Sequence, residues 1–324
     1  MFQPTTTIET LQARARILNR LRQFFDSRGF FEVETPLLSR DIVVDRYLEP
    51  IPVDAVRVLD GADDSDPPFW LQTSPEFAMK RLIAAGAKRI YQITHAFRGS
   101  ESGQHHNPEF TMLEWYRVGD SQGTAIELLG ELASQMLNRN HFKAVSYRQA
   151  FIDLAGVDPL LADVDRMQDA ARRNGVDIEG LRSESDPDFW RHLLLTHVVE
   201  PNLGHGPPQI VYDWPASQSA LAIVRDESPP VAERFELFVD GIELANGYHE
   251  LLDPDELCRR NRRTNELRIL DGRSTLPESS RLLDAMEAGL PDCCGVALGV
   301  DRLVMLALDK TSIHDIMAFP IDRA

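Results

Sequence analysis

The sequence predicts an α+β fold, an antiparallel sheet with helices packed on it, and three observations carry that prediction. Strand-like runs arrive as neighbours and hairpins and do not alternate strictly with helices. Residues 235–239 and 242–248 flank Asp240-Gly241, a strong two-residue hairpin signal. Neither a P-loop nor a strand–GxGxxG–helix unit is present, which disfavours the common parallel-sheet nucleotide folds.

Taken in order, residues 8–29 are helical, with Leu11, Ala15, Leu18, Leu21 and Phe25 near 3.6 spacing and Gly29 as the closing cap. Residues 30–38 are extended, because Thr35-Pro36 sets a non-helical step. A strand and a polar loop occupy 48–66, and 69–73 is strand-like. Ser74 then serves as an N-cap with Pro75 at the first helical position, opening a helix that runs to about Gly86. Strands are expected over 89–94 and 110–118, separated by a polar loop at 98–107. A helix follows over 124–137, and the stretch from 147 to about 205 is a mostly helical packing segment with little catalytic composition. Helices are expected over 254–270 and 280–289, and 296–308 passes from strand through a glycine turn into helix. No repeat or low-complexity segment interrupts this order, so one catalytic domain over 1–324 is expected.

Bulk properties narrow the class. With 43% hydrophobic and 26% charged residues the chain reads as globular, and no apolar run approaches a membrane span. The start, Met1-Phe2-Gln3-Pro4-Thr5, lacks a basic and an apolar signal region. Three cysteines, two of them adjacent, make no disulfide framework; reduced thiols and a cytoplasmic address are expected. A net charge of −17 disfavours a broad grip on nucleic-acid phosphates; Arg259-Arg260-Asn261-Arg262-Arg263 is the best local basic candidate, but it reads more readily as a solvated helix face.

The chemistry concentrates in two segments. His106-Asn107-Pro108-Glu109-Phe110-Thr111-Met112-Leu113-Glu114-Trp115-Tyr116 follows Arg98 by a short loop, and Gly295-Val296-Ala297-Leu298-Gly299-Val300-Asp301-Arg302-Leu303 lies near the C-terminus. Arg98 leaves a strand before a glycine, where a guanidinium forks two hydrogen bonds onto a phosphate or forms a surface ion pair. Phe110 suits a purine face or the core. Arg302 follows Gly299, whose lack of a side chain admits a close ligand, and Asp301 either caps the new helix or orients Arg302. Two arginines on a triphosphate neutralise a departing pyrophosphate. Glu243 and Glu250, seven residues apart, converge on one Mg²⁺ only if the strand is re-phased, for which Asn246-Gly247 is the expected bulge; otherwise they are edge-strand surface acids. Glu76, Glu109, Glu114 and Glu250 are many acids beside apolar sequence, and a diammonium substrate would match them; Tyr116 adds a hydroxyl for an amine. His105-His106 lacks metal-ligand spacing and reads as loop.

These segments resemble a known family. Phe30-Phe31-Glu32-Val33-Glu34-Thr35-Pro36 resembles motif 1 of class II aminoacyl-tRNA synthetases, 98–116 resembles motif 2 and 295–308 motif 3. Thr73-Ser74-Pro75-Glu76 and the run from Glu243 through Asn246-Gly247-Tyr248 to Glu250 resemble the lysyl branch. The resemblance implies a homodimer built partly through motif 1, and aminoacyl-adenylate formation with ATP and Mg²⁺. By position it implies that Arg98 and Arg302 contact the ATP phosphates and that Phe110 stacks on adenine. Gly99, Ser100, Asn107, Leu244 and Gly299 complete the ATP site, and Glu243 and Glu250 hold Mg²⁺ or substrate. Ser74, Pro75 and Ala297 line the amino-acid site. There Glu76 meets the amino group near the reacting carboxylate, while Glu114, Tyr116 and Glu250 receive the distal ammonium.

Three departures refine it. Motif 1 begins by about residue 25, leaving no room for the N-terminal anticodon domain of lysyl-tRNA synthetases. Ala297 stands where those enzymes have glycine, and one methyl against a snug ligand costs about 1–3 kcal/mol, enough to favour a lysine isomer with its amine moved. The Arg-x-Glu of motif 2 appears as Arg98-Gly99-Ser100-Glu101, with the acid displaced by one. A truncated lysyl-type core with that alanine is similar to the elongation factor P β-lysine ligases, which implies a protein acceptor, elongation factor P, in place of tRNA. The competing expectations are a truncated lysyl-tRNA synthetase that charges tRNA, and a non-catalytic paralogue that binds ATP or an amino acid.

Overall fold

Helix α1 (Ile8–Asp26) opens the chain in the computed structural model, which describes residues 2–324. Thr7 caps it by accepting from Thr10 N at 3.2 Å, and Gly29 turns the chain out at φ 75°, a conformation that favours glycine. The extended segment then pairs only briefly, as β1 (Phe31–Glu32) and β2 (Leu38–Ser39), and β3 (Pro52–Val53) follows. Next come β4 (Phe69–Leu71), α2 (Glu76–Ala84), β5 (Arg89–Phe97) and β6 (Glu109–Val118). Helix α2 begins one residue later than the sequence suggests. Pro75 takes the N-cap place, and Ser74 Oγ accepts from Glu76 N at 3.1 Å, so the serine hydroxyl serves the helix start from one position further out.

The chain divides into two compact units, and the second is continuous, Asp120–Glu250. It contains α3 (Gln122–Met136), β7 (Lys143–Ser146), α4 (Tyr147–Ala155), α5 (Val164–Arg173) and α6 (Pro187–Leu194). Helix α3 starts two residues before the expected 124. Ser121 accepts from Thr124 N while Thr124 Oγ1 accepts from Ser121 N, a capping box with threonine in the usual acid place. Then follow β8 (Gln209–Pro215), β9 (Val224–Arg225), β10 (Val231–Val239) and β11 (Ile242–His249). Strands β11, β10, β8 and β7 lie side by side, and β9 pairs β10. The β7–β8 pair is parallel and the others are antiparallel. Tyr147, Phe151, Trp190 and Trp214 anchor the apolar core under the helices.

The first unit resumes with α7 (Pro254–Leu270), α8 (Arg281–Glu287), β12 (Cys293–Gly299) and α9 (Val300–Ala307). Its sheet runs β1, β5, β6, β12, antiparallel except for the β1–β5 pair, and β2, β4 and β3 form a small second sheet. One face of β5 and β6 is sealed by α1: the Phe25 ring stacks on Tyr91 at 4.8 Å and tilts against Trp115 at 5.1 Å. The opposite face carries the polar residues discussed next. No helix among the described residues is long and apolar enough to cross a membrane.

Candidate active site

Strand pairing brings the motif residues of the first unit onto one face. Side chains alternate along a strand, so Phe110, Met112, Glu114 and Tyr116 of β6 share a side. Across the ladder Tyr116 pairs with Gly295, Glu114 with Ala297 and Met112 with Gly299, so the three small residues of β12 lie beside them. Ala297 and Gly299 keep accessible surface while the alternate residues Val296 and Leu298 are buried, which leaves an open floor beside the acid.

At one end of that floor lie the two arginines. Arg98 N donates to Pro108 O at 2.8 Å, prolonging the β5–β6 pairing, and its guanidinium stands 5.1 Å from the centre of the Phe110 ring. Its Nε is buried without a hydrogen-bond partner, a donor that a phosphate oxygen would satisfy. Arg302 Nε donates to His105 O at 3.2 Å, and its Nη2 lies 2.6 Å from His106 Nε2. Burial, then Arg302, His105 and Arg98, push the His106 imidazole down to about 4, so the ring is neutral and accepts from Arg302. The loop role assigned to His106 from sequence thus misses a specific contact, and only its place at the head of the motif 2 run hinted at it.

The intervening loop is tightly held. Gly99 N donates to Glu49 O at 2.7 Å, and a Cβ at Gly99 would stand 3.0 Å from that oxygen, so the close approach requires glycine. Ser100 is exposed at φ 64°. Asn107 is buried with both ends of its amide used by backbone, donating to Glu109 O at 2.6 Å and accepting from Ile321 N at 2.9 Å.

At the other end of the floor is the acid slot. Glu114 is 1% exposed; its carboxylate accepts from Ser74 Oγ at 2.7 Å and from Tyr116 Oη at 2.6 Å. Burial, reinforced by the Glu76 charge, pushes Glu114 up to about 7 against the opposing pull of those two hydroxyls. Such a carboxyl is partly protonated near neutral pH, and an arriving cation favours its ionised form. Glu76 is also buried but is met by an internal cation, with Lys80 Nζ at 2.5 Å one helical turn on. Pro75 is buried at the head of the same helix.

In the second unit, the expected bulge exists but at another position. The β10–β11 register skips between Leu237 and Phe238, which oppose Ala245 and Glu243, so the extra residue is the buried Leu244 and not Asn246-Gly247. One inserted residue inverts the alternation beyond it, so Glu243, Asn246 and Tyr248 fall on one side despite the odd spacing, while Glu250, just past the strand, is buried and bridges Ala222. Asn246 Nδ2 donates to Tyr248 Oη at 3.1 Å on that side. Glu236 pairs with Asn246 across the strands and joins the same group, which sequence spacing alone did not indicate. Burial, opposed by Arg234 at 2.5 Å and assisted by the Glu243 charge, pushes the Glu236 carboxyl above the usual range. A divalent cation would relieve two crowded carboxylates of this kind, and Mg²⁺ takes one or two carboxylates plus phosphate oxygens. No group of three or more His, Cys, Asp or Glu side chains placed to hold a metal ion lies among the described residues.

Two arginines and an aromatic ring at one end of a small-residue floor, with a buried carboxyl at the other, give one sheet face the groups to take an anionic nucleotide and a cationic acid together. The chain belongs to the class II tRNA synthetases (D, K and N), whose family model matches residues 3–323. It is 45% identical to the Elongation factor P--(R)-beta-lysine ligase of Yersinia enterocolitica, over 100% of this chain and 98% of that protein. The protein of the same name from Vibrio atlanticus is 46% identical over 100% of this chain and 99% of its own, and that of Salmonella typhi 44% over 100% and 98%.

Proposed function

We propose that this protein is an ATP-dependent ligase that activates (R)-β-lysine as its adenylate and transfers it to a lysine side chain of elongation factor P. The observation that carries this reading is end-to-end similarity, at 44–46% identity, to proteins of that name. The geometry of the first unit supports it, because a methyl at Ala297 stands directly across from the acid that receives an ammonium.

In the activation step the substrate carboxylate attacks the α-phosphorus of ATP and pyrophosphate leaves. Phe110 offers a face for adenine, Arg98 stands over that ring to meet phosphate oxygens, and Arg302, held by His105 and His106, offsets the charge of the departing group. The distal ammonium docks on Glu114, which is ionised by that contact, with Tyr116 and Ser74 fixing the carboxylate. Glu76, oriented by Lys80, supplies negative potential beside the other amine. Glu243 and Glu236 of the second unit are carboxylates suited to Mg²⁺, a cation that would screen phosphate charge. In the transfer step a neutral lysine amine attacks the adenylate carbonyl, the bond to the AMP oxygen breaks, and the nitrogen gives up one proton to solvent as AMP leaves. We assign elongation factor P, not tRNA, as the acceptor, the whole chain as one catalytic domain, and a homodimer through motif 1, where Phe31 is 53% exposed. Three free cysteines suit the cytoplasm.

ATP–pyrophosphate exchange tests the activation step: the protein should exchange label when (R)-β-lysine is added, and the absence of exchange with any diamino acid would leave only a binding paralogue.

A further inference from the structure

The strand pair that carries the site ends abruptly. Gly299, opposite Met112, is the last residue of β12 paired with β6, and the chain then turns into α9. One residue further along β6, at Thr111, β12 no longer runs alongside. Asp301 replaces it: its Oδ2 accepts from Thr111 N at 2.8 Å. The other oxygen, Oδ1, lies 2.6 Å from Arg14 Nη1 of α1, an ion pair by distance that is not an aligned hydrogen bond. Arg14 Nη2 donates in turn to Thr111 Oγ1 at 2.8 Å. Asp301 is 3% exposed, and a buried carboxylate requires a cation, which Arg14 supplies. Asp301 is thus committed to the strand, and α9 begins at Gly299 without a side-chain cap.

The neighbours of this triangle give it a consequence. Thr111 follows Phe110, and Asp301 precedes Arg302. Because side chains alternate, Thr111 points away from the face that carries Phe110, so Arg14 grips the strand from behind. We propose that Arg14 is a positioning residue for ATP: through Asp301 and Thr111 it fixes the strand bearing the adenine platform to the helix start bearing the phosphate cation. The inference rests on the roles given above to Phe110 and Arg302, and it adds a distance constraint between them that touches no reacting atom.

The test compares wild type with Arg14→Met, Thr111→Val, the double variant and Arg14→Lys, by ATP–pyrophosphate exchange with (R)-β-lysine and by calorimetric titration of ATP alone. Each single variant should raise the KM and Kd for ATP about tenfold while the KM for (R)-β-lysine stays within about twofold, since a misplaced clamp loosens one ligand only. The double should be no worse than the worse single, because both break one shared contact. Arg14→Lys, which keeps the charge but cannot fork, should fall between. Unchanged ATP affinity in the singles, with the exchange rate lowered only in proportion to the folded fraction, overturns the proposal. So do additive effects in the double. If Arg14→Met fails to fold, Thr111→Val decides by the same readings. Weakened ATP binding in the variants of a wild type that shows no exchange upholds the clamp and sinks the functional reading instead.

Discussion

Ala297 lies directly opposite Glu114 across the β12–β6 pair, so a single methyl group shares the floor with the buried carboxyl proposed to anchor the substrate. Glycine at that position would open space for an amine carried on the α-carbon. Ala297→Gly should therefore raise kcat/KM for α-lysine relative to (R)-β-lysine by roughly 5- to 100-fold, the span expected of one methylene's worth of fit. Exchange assays with the two isomers measure the ratio; an unmoved ratio removes Ala297 from the specificity determinants.

Glu114 gives the reaction a pH dependence. Its carboxyl titrates at about 7 in the free protein, and only the ionised form attracts an ammonium that stays protonated throughout this range. The KM for the diamino acid should fall as pH rises from 6 to 8, and Glu114→Gln should flatten that limb while lowering kcat/KM by about 100-fold. The stability effect has the opposite sign. A carboxyl that titrates higher in the folded than in the unfolded chain binds its proton more tightly when folded, so stability is lost as pH climbs from about 4.5 to 7. Thermal melts of wild type against Glu114→Gln across that window check it: the variant should lose less.

Arg302 is anchored by His105 O and by the neutral His106 ring, so its guanidinium is aimed before any ligand arrives. Arg302→Ala should cut pyrophosphate exchange by about 100- to 1,000-fold, the usual loss for one charge-stabilising donor, with far-ultraviolet circular dichroism unchanged. His106→Ala, which removes the acceptor but leaves the arginine, should cost less, about tenfold in KM for ATP.

Glu236 and Glu243 repel one another on the β10–β11 pair. Replacing either by glutamine removes one carboxylate from the proposed cation site, so the Mg²⁺ concentration for half-maximal exchange should rise about tenfold or more in Glu243→Gln and in Glu236→Gln. A Mg²⁺ titration that superimposes on wild type would exclude these side chains as ligands.

Much of this arrangement was legible because it follows from local periodicity. Phe110, Met112, Glu114 and Tyr116 announce one strand face by alternation alone, and Asp240-Gly241 announces the β10–β11 hairpin by its turn chemistry. What escaped depended on partners distant in sequence. The bulge falls at Leu244 because β10 sets the register, and no feature within β11 distinguishes it from Asn246-Gly247. Glu236 joins Glu243 only through that register. The contacts of Arg302 with His106 and of Arg14 with Asp301 span 196 and 287 positions, beyond any spacing rule. Ser121 was overlooked as a cap because its partner at the third helical position is Thr124 and not an acid.

The most direct measurement of the central claim is the intact mass of elongation factor P after incubation with this protein, ATP, Mg²⁺ and (R)-β-lysine, alongside aminoacylation of tRNA in a parallel reaction. One ATP-dependent β-lysyl addition on a lysine of elongation factor P, with no charged tRNA, is the expected result. Charged tRNA beside an unmodified elongation factor P would contradict it.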